Sequence, residues 1–301
     1  MKASPKYSSK APLVLFAGDC LTFLRSLPSA SVMLVVTSPP YNIGKPYETR
    51  IDLRAYLAGQ RLVIAEIARV LDPRGSVCWQ VGNHVRRGEV FPLDSLFYSE
   101  FVDCGFKLRN RIIWEFEHGL HCATRLSGRY ETVSWFTKSD KYKFYLDRIR
   151  VPQKYPGKKH YKGPKKGQFS SNPAGRNPGD VWAIPNVKHN HPEKTDHPCQ
   201  FPLELVERLI LALTDNGDLV CDPYMGSGTT IAAAVLRGRR AAGSEVKEAY
   251  LHIAAARADL AATGQLPRRE YGRAVYVPPP HTSLTTRPWG EALTREATHE
   301  P

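Results

Sequence analysis

Four apolar runs, 13-LVLFA-17, 32-VMLVV-36, 76-SVCWQV-81 and 111-RIIWEF-116, constrain this chain more than any other feature. Each is too short for a core helix and rich enough in β-branched or aromatic residues to read as a strand. Between them the period changes to that of a helix. In residues 53 to 71, Tyr56, Val63, Ile67 and Val70 recur on one face. Strands alternating with amphipathic helices predict βαβ units and a mostly parallel sheet, hence an α/β fold. The pieces 131-ETVSWFT-137 and 142-YKFYL-146, joined across residues 138 to 141, read as an antiparallel hairpin at the sheet edge.

Residues 148 to 192 change texture to Lys, Gly, Pro, Ser and Asn and read as long loops. Regular elements then return. Helices are expected at 202–214, at 229–237 closed by Gly238, and at 248–262, with strands at 218–222 and 240–245. The chain therefore divides into 1–147, an inserted loop-rich region at 148–192, a second half of the same domain at 193–265, and a mobile tail at 266–301.

Lys and Arg number 42 against 29 Asp and Glu, a formal charge of +13 that implies a polyanionic partner, nucleic acid or an acidic membrane surface. The opening MKASPKYSSKAP has no apolar core of a signal peptide, and no run of about 18 apolar residues follows. A cytoplasmic protein is expected. The six cysteines show no C-x-x-C spacing and read as reduced thiols, several of them buried, and no metal is expected. The triplet 189-HNH-191 with His197 and Cys199 matches no common zinc spacing.

In 219-LVCDPYMGSGTT-230 a strand runs into Asp222, then a Gly-rich turn, then a helix. Gly226 and Gly228 let backbone approach a ligand, and Glu245, at the end of the next strand, stands about 20 residues on, where a carboxylate grips ribose hydroxyls. The segment lacks the lysine of a phosphate loop and the G-x-G-x-x-G spacing of a dinucleotide turn. A second corner is 37-TSPPYN-42. Pro39 and Pro40 fix φ and donate no hydrogen bond, so the turn is stiff and its carbonyls need donors from elsewhere. With Ser38 and Tyr41 it forms a slot for a planar group bearing an amine, such as a nucleobase.

These segments resemble the amino-methylating DNA methyltransferases that use S-adenosylmethionine, over most of residues 13 to 258. In that family an S/D/N-P-P-Y/F/W tetrapeptide holds the target amine, as Ser38, Pro39, Pro40 and Tyr41 would here. An aromatic-x-Gly-x-Gly turn holds the methionine part of the cofactor, as Tyr224, Gly226 and Gly228 would, with Asp222 and Thr229 flanking them; the family usually has phenylalanine at the position of Tyr224. The H-P-x-x-x-P pattern starting at His197 and Pro198 is similar to one that in the family helps close over the methionyl group, and Asp19 in 18-GDC-20 is carried over as an adenine contact. The target-amine motif precedes the cofactor turn, which resembles the circularly permuted, beta-type group and implies its Rossmann-like methyltransferase sheet.

The resemblance implies a site-specific enzyme of restriction-modification type that methylates an exocyclic amine in double-stranded DNA after base flipping. No cysteine nucleophile and no magnesium are needed. Serine at the first motif position is associated in the family mainly with N4 of cytosine, aspartate or asparagine with N6 of adenine. Cytosine is favoured, and adenine or a catalytically inactive DNA-binding module stay open. DNA contacts are expected from Lys154, Lys158, Lys159, Lys162, Lys165 and Lys166, in a stretch of residues 148 to 176 without a single acid, and from Arg125 and Arg129 in the loop 118–129. A separately acting restriction endonuclease and a homodimer are both compatible with this reading; a membrane is not implied.

Overall fold

The computed structural model describes residues 3–116, 119, 121–277 and 279. The first half runs β1 (Leu13–Ala17), α1 (Cys20–Ser26), β2 (Val32–Thr37), α2 (Leu53–Val70), β3 (Leu71–Val81), β4 (Asn83–Arg86), β5 (Glu89–Pro92), α3 (Leu93–Asp103), β6 (Lys107–Glu115) and β7 (Tyr130–Thr137). The second runs β8 (Val181–Ala183), α4 (Leu203–Leu213), β9 (Leu219–Asp222), α5 (Thr229–Leu236), β10 (Arg240–Glu245) and α6 (Glu248–Ala262).

Every residue of β2 and of β9 is buried, as continuous apolar strands covered on both faces should be. They lie side by side at the middle of one eight-stranded sheet, ordered β1-β10-β9-β2-β3-β7-β6-β8. Only β7 runs antiparallel to its neighbours. Helices α1, α2 and α3 pack on one face around Phe23, Ile64, Phe97 and Phe101, and α4, α5 and α6 on the other around Leu209, Ile231 and Ala254. Strands β2 and β9, 185 residues apart at Thr37 and Asp222, meet where the strand order reverses. In such sheets a ligand crevice opens at the carboxyl ends beside that reversal.

The antiparallel hairpin is present but is built by β6 and β7, in register from Lys107↔Thr137 to Glu115↔Tyr130. Residues 142–146 form no strand. Strand β7 already has β3 on one side and β6 on the other, so no edge is left to pair with them. Their aromatics pack on Trp135 instead, with Tyr142 edge-on and Phe144 stacked, both at 5.5 Å. The region 148–192 also holds one strand not expected, β8, which extends the sheet beyond β6. Helices α1 and α3 and the β4–β5 hairpin are further elements not foreseen.

Residues after 265 begin anchored, not free. Leu266 is buried, Arg268 pairs with the buried Glu207 at 3.0 Å, and Arg269 pairs with Glu204 at 2.7 Å. Residues 278 and 280–301 of the expected tail lie outside the described residues, as do 117, 118 and 120 near the expected 118–129 loop. Among the described residues no helix is long and apolar enough to cross a membrane.

Candidate active site

The carboxyl ends of β1, β2, β3, β6, β9 and β10, with the start of β7, surround one cavity of about 330 Å³. Ser38, Pro39, Pro40 and Tyr41 line it, and so do Asp19, His197, Pro198, Tyr224, Gly226, Thr229 and Glu245. The two motifs, nearly 190 residues apart in sequence, face the same space because β2 and β9 are neighbours.

Two expected contacts stand behind the wall instead. Asp222 is 1% exposed, and its Oδ1 accepts from the Thr37 hydroxyl at 2.6 Å and from the Tyr224 N–H at 3.1 Å. It thereby ties the residue before the Ser38 turn to the residue that opens the glycine turn. Burial pushes its carboxyl up to about 6. Gly228 is the left-handed cap of α5 (φ 74), pressed against α6 so closely that a Cβ there would lie 2.6 Å from the Cβ of Ala254.

At Gly226 the backbone is again left-handed (φ 49), and its N–H donates to Glu245 Oε2 at 3.0 Å. The other oxygen of Glu245 accepts from Lys247 N–H at 2.8 Å, and burial raises its pKa. A carboxylate has about four lone-pair sites, so acceptor capacity remains toward the cavity. Asp19 caps α1 through Oδ1, which accepts from Leu21 and Thr22 N–H at 2.9 and 3.0 Å. That capping role accompanies its place in the wall. Tyr224, where the family usually has phenylalanine, finds a partner for its hydroxyl in Gln60 of α2 at 2.9 Å.

His197 stacks on Tyr47 at 5.7 Å and meets Tyr250 edge-on at 4.4 Å. Burial lowers its pKa to about 4, so the ring is neutral near pH 7. Its Nδ1 accepts from Cys199 N–H at 3.2 Å, which places the ring proton on Nε2, the atom nearest Gly226.

The proline turn is held from three sides. Tyr56 of α2 donates its hydroxyl to the Pro40 carbonyl at 2.5 Å, whereas nothing among the described residues bonds the Pro39 carbonyl. Asn42, left-handed at φ 57, accepts from Ile51 N–H and donates to Ile51 carbonyl, each at 2.8 Å. Left-handed backbone is tolerated by asparagine better than by most residues. The Ser38 hydroxyl donates to the Tyr41 hydroxyl at 3.2 Å, which in turn lies 2.9 Å from Gln80 Oε1 and 3.2 Å from Glu131 Oε2.

Four polar residues that line the cavity or brace its turns have no counterpart among the expected site residues: Gln60, Gln80, Glu131 and Arg257. Arg257 of α6 is 5% exposed and donates to Ser227 carbonyl at 2.8 Å and to the Thr229 hydroxyl at 2.9 Å, bracing the glycine turn from beneath. A cation inside the alanine-rich 254-AAARADLAA-262, and polar residues ending or opening the buried strands β3 and β7, were the available signals.

The basic residues lie outside the cavity. Lys154, Lys158, Lys159, Lys162, Lys165, Lys166 and Arg125 are exposed, and Arg129 is partly buried. The segment folds back on itself through the bridges Val151↔Arg176 and Lys159↔Phe169. It presents Tyr155, Tyr161 and Phe169 at 64, 78 and 65% exposure, each beneath a lysine ammonium. Arg148 and Arg150, in contrast, are engaged at its base with Asp215 and Asp147.

A family model described as DNA methylase matches residues 32–256. The chain is 49% identical over 241 residues to the type II methyltransferase M.BglII of Bacillus subtilis, covering 80% of this chain and 67% of that one. It is 30% identical to the DNA adenine methyltransferase YhdJ of Escherichia coli K12, covering 85% of each. Among solved structures, TTHA0409 of Thermus thermophilus, in complex with S-adenosyl-L-methionine, aligns with TM-score 0.60 and 30% identity over 83% of this chain and 96% of that one. The fold is also that of the cytosine-N4-specific PvuII DNA methyltransferase, with TM-score 0.67 at 23% identity over 81% and 85% of the two chains.

Proposed function

This chain belongs to the N6/N4 DNA methylase family, which uses S-adenosylmethionine, and on that basis we propose that it methylates the exocyclic N4 of cytosine in duplex DNA after the base has swung out of the helix. The observation that carries the reading is the single cavity shared by Ser38, Pro39 and Tyr41 with Gly226 and Glu245.

The residues fit the cofactor. Glycine at 226 leaves room beside His197 that a Cβ, 2.9 Å from Nε2, would fill, and Glu245, in the cavity wall, would accept ribose hydroxyls. Asp19, His197, Pro198, Tyr224 and Thr229 complete the wall. When bound, the cofactor supplies an electrophilic methyl group on a sulfonium. The amine lone pair is delocalised into the base and attacks poorly. Ser38 Oγ and the Pro39 carbonyl, which no described residue bonds, accept hydrogen bonds from its two N–H groups, favour a more tetrahedral nitrogen and hold it in line. The ring of Tyr41 remains part of the cavity wall, against which a base can stack.

Serine at position 38 supports cytosine over adenine. Incubation with methyl-labelled S-adenosylmethionine and unmodified DNA, followed by digestion to nucleosides and mass analysis, is expected to yield N4-methylcytosine. N6-methyladenine would reassign the base, and unlabelled DNA across many sequences would end the proposal. Ser38→Ala is expected to slow methyl transfer about 10²- to 10³-fold while cofactor affinity holds.

In this reading the exposed lysines at 154–166 bind phosphates as part of a target-recognition region spanning 148–192, and Arg125 and Arg129 reach the same DNA. Flipping costs a few kcal/mol, which backbone contacts help offset. DNA affinity should therefore fall steeply with salt. Lys158→Ala together with Lys159→Ala is expected to lower the slope of log K against log salt by about 2, measured by fluorescence anisotropy on duplex DNA. An unchanged slope would remove these lysines from the interface.

A further inference from the structure

Behind the Ser38 turn sits a carboxylate that no motif accounts for. Glu131 is the second residue of β7, the strand that runs antiparallel within the large sheet, and lines the cavity beside the Ser38 turn. It is partly buried, accepts from the Gln80 side-chain amide, and lies 3.2 Å from the Tyr41 hydroxyl. Gly82 closes the space around it, since a Cβ there would stand 3.1 Å from both the Glu131 carboxylate and the Tyr41 ring. The groups are continuous: Ser38 Oγ donates to Tyr41 Oη, whose own proton has Gln80 Oε1 at 2.9 Å and Glu131 Oε2 at 3.2 Å as acceptors.

A lone serine hydroxyl is a weak acceptor for an amine that grows acidic as it is methylated. Here its own proton is committed to Tyr41, so both Ser38 lone pairs are available to the cavity. With a carboxylate at the far end, each bond in the chain polarises the next and makes Ser38 Oγ more basic.

We propose that Glu131 is the terminal acceptor of the amine proton, reached through the hydroxyls of Ser38 and Tyr41. The inference rests on the amino-methyltransferase reading and holds for either base. A carbon–nitrogen bond forms at the expense of the sulfonium carbon–sulfur bond. One amine proton passes to Ser38 Oγ, the serine proton to Tyr41 Oη and the tyrosine proton to Glu131 Oε2, while the N–H electron pair returns to nitrogen. Glu131 then gives its proton to cavity water. Because it acts through two other side chains, Glu131 is a positioning residue for the serine acceptor. The groups that bear on the chain are Lys188, which faces Glu131 from the connection between β8 and α4, Gln80 from β3, and Cys199, which faces Tyr41. Burial raises the Glu131 pKa above the ordinary range of a glutamate.

The test is the single-turnover methylation rate against pH for the full chain and for Glu131→Gln, with cofactor affinity measured by calorimetry. The wild-type rate should rise with pH as Glu131 ionises. Glu131→Gln should lose that rise and fall about 10²-fold, with cofactor affinity within about threefold of wild type. Tyr41→Phe, which keeps the ring and cuts the chain, should lose the same rise, and decides the matter alone if the glutamine variant no longer binds cofactor. A wild-type pH profile retained in either folded variant overturns the proposal. Wild-type protein that methylates no DNA amine overturns the underlying reading instead, and is distinguished because the variants are not needed to see it.

Discussion

Placing alanine at Gly228 is expected to cost the protein several kcal/mol of stability and to abolish cofactor binding. The new Cβ would meet the Cβ of Ala254 at 2.6 Å and its Cα at 2.8 Å, so it is backbone, not a mobile side-chain tip, that must yield. Left-handed backbone at φ 74 adds about 1–2 kcal/mol for a residue with a Cβ. Overpacking costs about 1–3 kcal/mol on top, and α6 cannot retreat without dragging Arg257 off the turn it braces. Gly226→Ala makes the control. It carries the same left-handed penalty (φ 49), but the atoms nearest its Cβ belong to the ring of His197, from 2.9 Å, a side chain that can shift, so the protein should fold with a smaller loss of stability while cofactor affinity drops. Urea melts and calorimetry on the two variants separate these outcomes. Equal stability of both would refute the role assigned to the α5–α6 contact.

Asp222→Ala is expected to be the most damaging change that leaves the cavity wall itself untouched. It strands the Thr37 hydroxyl and the Tyr224 N–H, which now donate to one buried oxygen, and each buried unsatisfied donor costs about 1–3 kcal/mol. It also releases the tie between the substrate turn and the cofactor turn, so methylation should fall further than stability alone would predict. Asp222→Asn keeps the accepting oxygen and should be far milder.

The pair yields a pH signature as well. A folded-state pKa of about 6 exceeds the unfolded value near 3.9, so the folded protein holds this proton more tightly. Its stabilising contribution is full below about pH 4 and is lost as pH rises to about 6. The stability difference between wild type and Asp222→Asn should shift against wild type across that window, by roughly 1.4 kcal/mol per pKa unit. A difference independent of pH would show that the carboxyl is not perturbed.

Much of the sheet was readable because its strands advertise themselves locally. Residues 32–36 and 219–221 are continuous apolar runs since both faces are covered, and Tyr56, Val63, Ile67 and Val70 mark α2 by their spacing. Helix α1 was missed because seven residues with two buried side chains make no clear period. Helix α3 carries Leu93, Phe97 and Phe101 at helical spacing but begins without a side-chain cap. The segment 142–146 looked like a strand because it alternates, yet alternation does not say whether a partner edge is free.

The two turns of the site are written in the local residues alone. Stiff prolines with no N–H, and glycines able to take positive φ, are properties of four or five adjacent residues and survive in any environment. Their meeting across one cavity, the burial of Asp222 behind them and the line from Ser38 to Glu131 came into being only when the chain folded. Tyr41 and Glu131 are 90 residues apart, Tyr224 and Gln60 164, and Thr37 and Asp222 185. A polar side chain becomes a tie or a proton acceptor through the partner that strand order places beside it, and that order is set by pairing between distant segments.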